Sequence, residues 1–164
     1  MPREAKAADP LTAPEHAGHG AGRAITRLNR QVEVAIAPTG MKLSQYRLLC
    51  LIADGMSGSS DVAARLAVRP TSVTEIVEGM VARGWVLRGS DPSDRRRSPL
   101  TLSRSGARVL EKAQLAVTER LRAIAKHLDV PAGVTDPLLV LEAWHEALDH
   151  YASSDSAKPT PRGA

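Results

Sequence analysis

A chain of 164 residues with a net charge of +4 is long enough for one domain with a real core, and its two Trp, two Tyr and no Phe leave that core to aliphatic side chains. The single cysteine excludes an intramolecular disulfide, no run is apolar enough to cross a bilayer, and residues 1–20 lack the apolar stretch of a secretory signal, so a cytoplasmic protein is expected. The charge is uneven: from Arg65 to Arg104 eight arginines stand against four carboxylates, which puts the whole excess in one segment, as a phosphate-facing surface requires.

Residues 1–20, rich in Ala, Pro, His and Gly and without periodicity, read as a flexible tail. His16 and His19 in it have no further ligand at metal-binding spacing. Gly22–Ala37 reads as a first helix, with Ile25, Leu28, Val32 and Ala35 on one face and Pro38-Thr39-Gly40 ending it. Ser44 is the expected cap of a second helix, Gln45–Ala53, on which Tyr46, Leu49, Cys50 and Ala53 share a face. Cys50 carries two readings, a redox-sensing thiol or a small apolar core residue.

Asp54–Gly58 turns into a short helix, Ser60–Leu66, and Ala67–Pro70 breaks it. In the next helix, Thr71–Arg83, Val73, Ile76, Val77, Met80 and Val81 fall at i, i+3, i+4, i+7 and i+8, one buried face; Pro70 suits its start and Gly84 its end. Strand signals at Trp85–Arg88 and Pro99–Leu102 flank a polar loop, Gly89–Ser98, that carries Arg95, Arg96 and Arg97. Arg104–Leu128 is a long helix with a heptad-like seam of Leu110, Ala113, Val117, Leu121, Ile124 and Leu128. Asp129–Val134 breaks it, and Asp136 caps a last helix with Pro137 in its first turn. Leu138, Leu141, Trp144, Leu148 and Tyr151 form a stripe with little left to cover in one chain, which implies a dimer; His145 and His150 read as surface or interface residues. Residues 153–164 read as a second flexible tail.

Helix, turn, helix, hairpin is a winged helix-turn-helix layout. The expected fold class is mainly α, with a DNA-binding region at 44–103 and a helical dimerisation region formed by 21–43 and 104–152. Small hydroxyl residues in the first turn of a recognition helix suit entry into a major groove. Thr71, Ser72 and Thr74 are the base-reading candidates, with Glu75 beside them accepting from cytosine. Arg69, Arg95, Arg97 and Ser59 or Ser60 are the phosphate-contact candidates. No Ser/His/Asp set, metal-ligand cluster or phosphate-cradling glycine loop can be assembled, so neither an enzyme nor a cofactor is expected.

The segment resembles the MarR family of bacterial transcription regulators. The residues that carry the resemblance are Leu66, Val68, Pro70, Val73, Thr74 and Val77, then Gly84, Val86, Arg88, Asp91-Pro92, Asp94 and Arg96, and finally Leu100, Leu102 and Ser103. The match departs at Glu75, where many members carry a basic residue. The resemblance implies that Arg96 enters a minor groove with Asp94 bracing it, and that the first, fifth and sixth helices build a homodimer. It also implies a small-molecule pocket between those helices and the winged region, taking aromatic carboxylates or phenols; Arg27, Arg30, Gln45, Tyr46 and Arg47 are the polar groups expected there. The resulting reading is a homodimeric repressor of a pseudo-palindromic double-stranded operator, released by such a ligand. Two alternatives stand beside it, a redox-sensing regulator acting through Cys50 and an architectural DNA binder without sequence preference.

Overall fold

The computed structural model describes residues 14–66, 68–90, 98–128 and 136–155. Helix α1 (Pro14–Ile36) runs into a 3-10 turn (Ala37–Thr39), and α2 (Leu43–Ala53), α3 (Ser59–Leu66) and α4 (Pro70–Ala82) follow. Strands β1 (Val86–Arg88) and β2 (Leu100–Leu102) form a hairpin, and α5 (Arg104–Ala125) and α6 (Pro137–Asp155) close the chain. This is the mainly helical winged helix-turn-helix that the sequence layout implies.

The element ends differ from expectation in instructive places. α1 begins at Pro14 rather than Gly22, so residues 14–20, expected as tail, are helical. Proline is pre-organised for a first helical turn. Residues 20–27 are all exposed, so Ile25, expected on the buried face, covers no part of the core. α6 likewise continues to Asp155, past the expected start of the second tail at 153. Ser44 does not cap α2. The helix starts at Leu43, and the Lys42 backbone N–H is satisfied by Gln45 Oε1 at 3.0 Å, a reach back from the third helical position that the sequence reading overlooked. Asp136 does cap α6, its Oδ1 accepting from the Leu138 N–H at 2.9 Å.

The core is aliphatic throughout. Ile36 and Met41 meet Leu48, Leu49 and Ile52 of α2, Val62 and Leu66 of α3, Val73, Val77 and Met80 of α4, Val86 and Leu100 of the hairpin, and Leu110, Ala113 and Val117 of α5. The buried face of α4 is narrower than expected: Ile76 is half-buried and Val81 is 38% exposed. At i+8 from Val73, Val81 has drifted about 80° around the helix and off the seam. The seam of α5 divides in the same way. Leu110, Ala113 and Val117 belong to the chain's own core, Leu121 and Ile124 are half-buried, and Leu128 is exposed. α1 and α5 are further joined where Arg120 donates from Nε and Nη2 to Gln31 Oε1, at 2.9 and 2.6 Å.

The hairpin is antiparallel, with Val86 opposite Leu102 and Arg88 opposite Leu100. Its base is fixed on both sides. The Leu100 N–H donates to the Ser57 carbonyl at 3.0 Å, so the turn before α3 lies along β2 in the place of a third strand. On the other side Gly84 ends α4 with a φ of 67°, a conformation that favours glycine. Its carbonyl accepts from both the Ser103 and Ser105 hydroxyls at 2.6 Å. Ser103 Oγ also accepts from the Gly106 N–H at 2.9 Å, capping α5, while the Ser103 N–H donates to the Trp85 carbonyl at 3.0 Å. Gly106 is buried directly against that carbonyl, and a Cβ on it would overlap the Trp85 oxygen.

Two glycine substitutions therefore have opposite expected signs. Gly79→Ala places its methyl in open space on the exposed side of α4, and the gain in helix propensity should raise stability by about 0.5–1 kcal/mol. Gly106→Ala gains the same propensity, but it must displace backbone, and overpacking of this kind costs about 1–3 kcal/mol. Urea denaturation should move the midpoint up for the first variant and down for the second.

Candidate nucleic-acid interface

α3 closes with the Val68 N–H donating to the Ala63 carbonyl at 3.2 Å, and the chain then extends through Arg69 (φ −66°, ψ 144°) into Pro70, the first residue of α4. Val73, Val77 and Met80 seat α4 on the core, which turns Thr71, Thr74, Glu75 and Glu78 outward. Ser72 lies half-buried at the edge of that outer face, and Arg69 is exposed beside it. The first turn of α4 contains no acidic residue, so the positive end of the helix dipole is unopposed next to Arg69. Ser59, at the start of α3, is also exposed. The fold thus gathers Arg69, Thr71, Thr74 and Glu75 on one surface, with Ser72 at its edge. The side chain of Ser60, and the whole of Asp94, Arg95, Arg96 and Arg97, lie outside the described residues.

The basic segment is not wholly phosphate-facing, as the charge count alone suggested. Arg83 is spent on the fold: its Nη1 donates to the Gly40 carbonyl at 2.9 Å, and its guanidinium lies 4.9 Å from the centroid of the Trp85 ring. Arg65 forms an ion pair with Asp149 of α6. No sequence signal marked either partner, because both pairings join residues far apart in the chain.

The residues expected to hold a ligand are divided by the structure. Tyr46 and Arg47 line a cavity of about 990 Å³ between α2, α3 and α6, with Leu51, Met56, Leu148 and Tyr151 as further walls and the Arg65–Asp149 pair within it. Gln45 is buried and engaged with the α2 N-terminus. Arg30 pairs with Glu33 at 2.8 Å, and Arg27 is exposed on α1; neither lines the cavity. The contribution of α3 and α6 was missed, since Leu148 and Tyr151 read only as an interface stripe. The histidines of α6 stay at the surface, His145 with Nε2 3.8 Å from Asp149 Oδ2. His16 and His19 have side chains outside the described set, and among the described residues no three His, Cys, Asp or Glu side chains converge as a metal site.

Tyr46 and Cys50 lie side by side in this wall. Burial pushes the Tyr46 phenol well above its ordinary range, and the neighbouring Cys50 adds to the rise. Burial likewise pushes the Cys50 thiol up; the hydrogen bond with Tyr46 works against this and the charge of Asp54 with it. A thiol held protonated is a poor nucleophile toward oxidants, which weakens the redox reading of Cys50.

A MarR-family model matches residues 39–97. An HTH-type transcriptional regulator of Mycobacterium bovis is 30% identical over 124 residues, which span 72% of this chain and 87% of the relative. The chain belongs to the MarR family. Its fold is also that of solved structures of MarR-type proteins. CouR from Rhodococcus jostii RHA1, bound to p-coumaroyl-CoA, superposes with a TM-score of 0.65 at 23% identity, covering 93% of this chain and 99% of that one. A cysteine-to-serine mutant of MarR from E. coli, complexed with operator DNA, superposes with a TM-score of 0.63 at 20% identity, covering 85% and 98%. As a member of this family the chain is a DNA-binding transcriptional regulator. Among its described residues no helix is long and apolar enough to cross a membrane.

The ionisation of Tyr46 and Cys50 gives a pH dependence with a definite sign. Both acids are raised in the folded chain, so the unfolded chain loses these protons first and stability falls as pH climbs above the ordinary thiol value of about 8.5. Denaturation midpoints should decline from there toward pH 11, and less so in a Tyr46→Phe, Cys50→Ala double variant. In the native protein iodoacetamide should modify Cys50 several-fold more slowly at pH 7.5 than after unfolding.

Proposed function

We propose that this MarR-family chain is a homodimeric, sequence-specific repressor whose hold on its operator is released by a small molecule in the cavity between α2 and α6. The observation that carries the DNA half of the reading is the division of α4. Its inner side is fixed by three fully buried side chains, and its outer side offers hydroxyls, a carboxylate and the positive helix end beside Arg69. Thr71, Ser72, Thr74 and Glu75 read base edges in a major groove, and Arg69, Ser59 or Ser60, Arg95 and Arg97 take phosphates. Arg96 takes the flanking minor groove with Asp94 bracing it. The E. coli MarR mutant, solved on operator DNA, supports this placement by its shared fold.

Dimerisation is supported by what the chain leaves uncovered. Trp144 is 63% exposed, Tyr151 66% and Leu148 57%, a run of large apolar surface that a lone subunit pays for in water. A twofold dimer matches a pseudo-palindromic site with half-sites about one helical turn apart. The ligand reading rests on the cavity itself, where Tyr46 and Tyr151 offer aromatic surface and Arg47 a cation, a setting for an aromatic carboxylate or phenol. CouR, crystallised with p-coumaroyl-CoA, is a relative by fold that takes an aromatic acyl group. The elevated thiol of Cys50 favours this ligand reading over a redox switch.

The test is a binding titration at near-physiological salt, using the DNA upstream of the protein's own gene beside a random duplex of equal length. Tight binding to the first alone is expected, and equal binding to both supports the architectural reading instead. Arg96→Ala should weaken the specific complex by about 1–3 kcal/mol. Sedimentation should give twice the 17.5 kDa chain mass, and Trp144→Glu should reduce it toward the monomer.

A further inference from the structure

One of the base-reading residues proposed for α4 carries the argument further. At about 100° of rotation per residue, Glu75 stands opposite the midpoint of Val73, Val77 and Met80, the three buried side chains that seat the helix. It therefore points straight out, farther from the core than the threonines beside it. It is exposed, and among the described residues no ion pair holds it. If α4 enters a major groove, this carboxylate goes to the groove floor, between two rows of phosphates.

A carboxylate there is costly unless it accepts a hydrogen bond. The four base edges answer differently. Guanine presents two acceptors, and thymine an acceptor and a methyl group; both repel or ignore it. Adenine offers its N6 amino group beside the N7 acceptor, so attraction and repulsion compete. Cytosine offers its N4 amino group with no acceptor next to it. Only one base satisfies the charge without opposing it.

We propose that Glu75 is the specificity-determining residue of α4, requiring a C·G pair at one position of each half-site by accepting from the cytosine N4 amino group, and lowering affinity for all other DNA. The proposal rests on the DNA-reading role given above for α4. It explains why a protein with a basic segment places a negative charge at the centre of its reading face. The charge gives up general affinity in exchange for discrimination, since phosphate attraction is common to all sequences and a base contact is not.

The experiment is a selection from a randomised duplex library with the full-length protein and three variants, followed by titration of the selected sites. The wild type should enrich half-sites with one position restricted to C·G, and changing that pair should weaken binding roughly 5- to 150-fold. Glu75→Gln should move the same position toward A·T, because a glutamine amide matches adenine N6 and N7 together. Glu75→Ala should leave it unrestricted, and both should bind random DNA more tightly than the wild type. Glu78→Gln, which removes a carboxylate one turn further along the same helix, should strengthen binding without altering the selected sequence. If the two Glu75 variants strengthen binding to every sequence while the selected motif stays unchanged, the residue is only a source of repulsion and the proposal is overturned. If the wild type enriches no sequence at all, the failure lies with the specific DNA-reading role itself, and the proposal falls with it.

Discussion

The carbonyl of Gly84 is the point at which the end of α4 and the start of α5 meet. It ends α4, and it accepts from two serine hydroxyls at the start of α5, so the two helices share one atom as a fixed point. The hairpin between them is drawn closed at that same point by the bond from Ser103 to the Trp85 carbonyl. Each part requires the others. The left-handed backbone at Gly84 aims its carbonyl, the extended backbone of Ser103 lets its hydroxyl both donate to that carbonyl and cap α5, and only a glycine at 106 lets α5 come close enough. The end of α4 is thereby tied to the start of α5.

Much of this was legible in the sequence because it depends on local rules. The i, i+4, i+7 spacing of Val73, Val77 and Met80, the proline at the start of α4, the glycine at its end and the aspartate before α6 are signals within one or two turns of chain. What escaped were pairings between distant segments. Nothing local announces that the Leu100 N–H finds the Ser57 carbonyl, that Arg83 folds back onto Gly40, or that Arg65 meets Asp149. The candidate residues followed the same division. The outward face of α4 could be read from periodicity, whereas of the five residues expected around a ligand only Tyr46 and Arg47 reach the cavity, because its far wall is formed by α6.

The charge of the segment teaches a related point. Eight arginines suggested a basic surface, yet Arg65 and Arg83 are occupied by the fold and Glu75 and Glu78 place negative charge on the outer face of α4. Net charge measures attraction to any polyanion. Placement decides whether that attraction is spread evenly or broken by a group that demands something specific in return.

The link between α1 and α5 has a further consequence. Arg120 reaches across from α5 to the neutral amide oxygen of Gln31 on α1, a contact between a charge and a dipole at 2.6–2.9 Å. Salt screens over roughly 8–10 Å at physiological strength, a distance at which phosphate attraction is felt and a contact of this kind is not. Rising electrolyte therefore loosens the grip on DNA while leaving the join between α1 and α5 as it was. Attraction to a polyanion and the join between these two helices thus respond to electrolyte in different degrees.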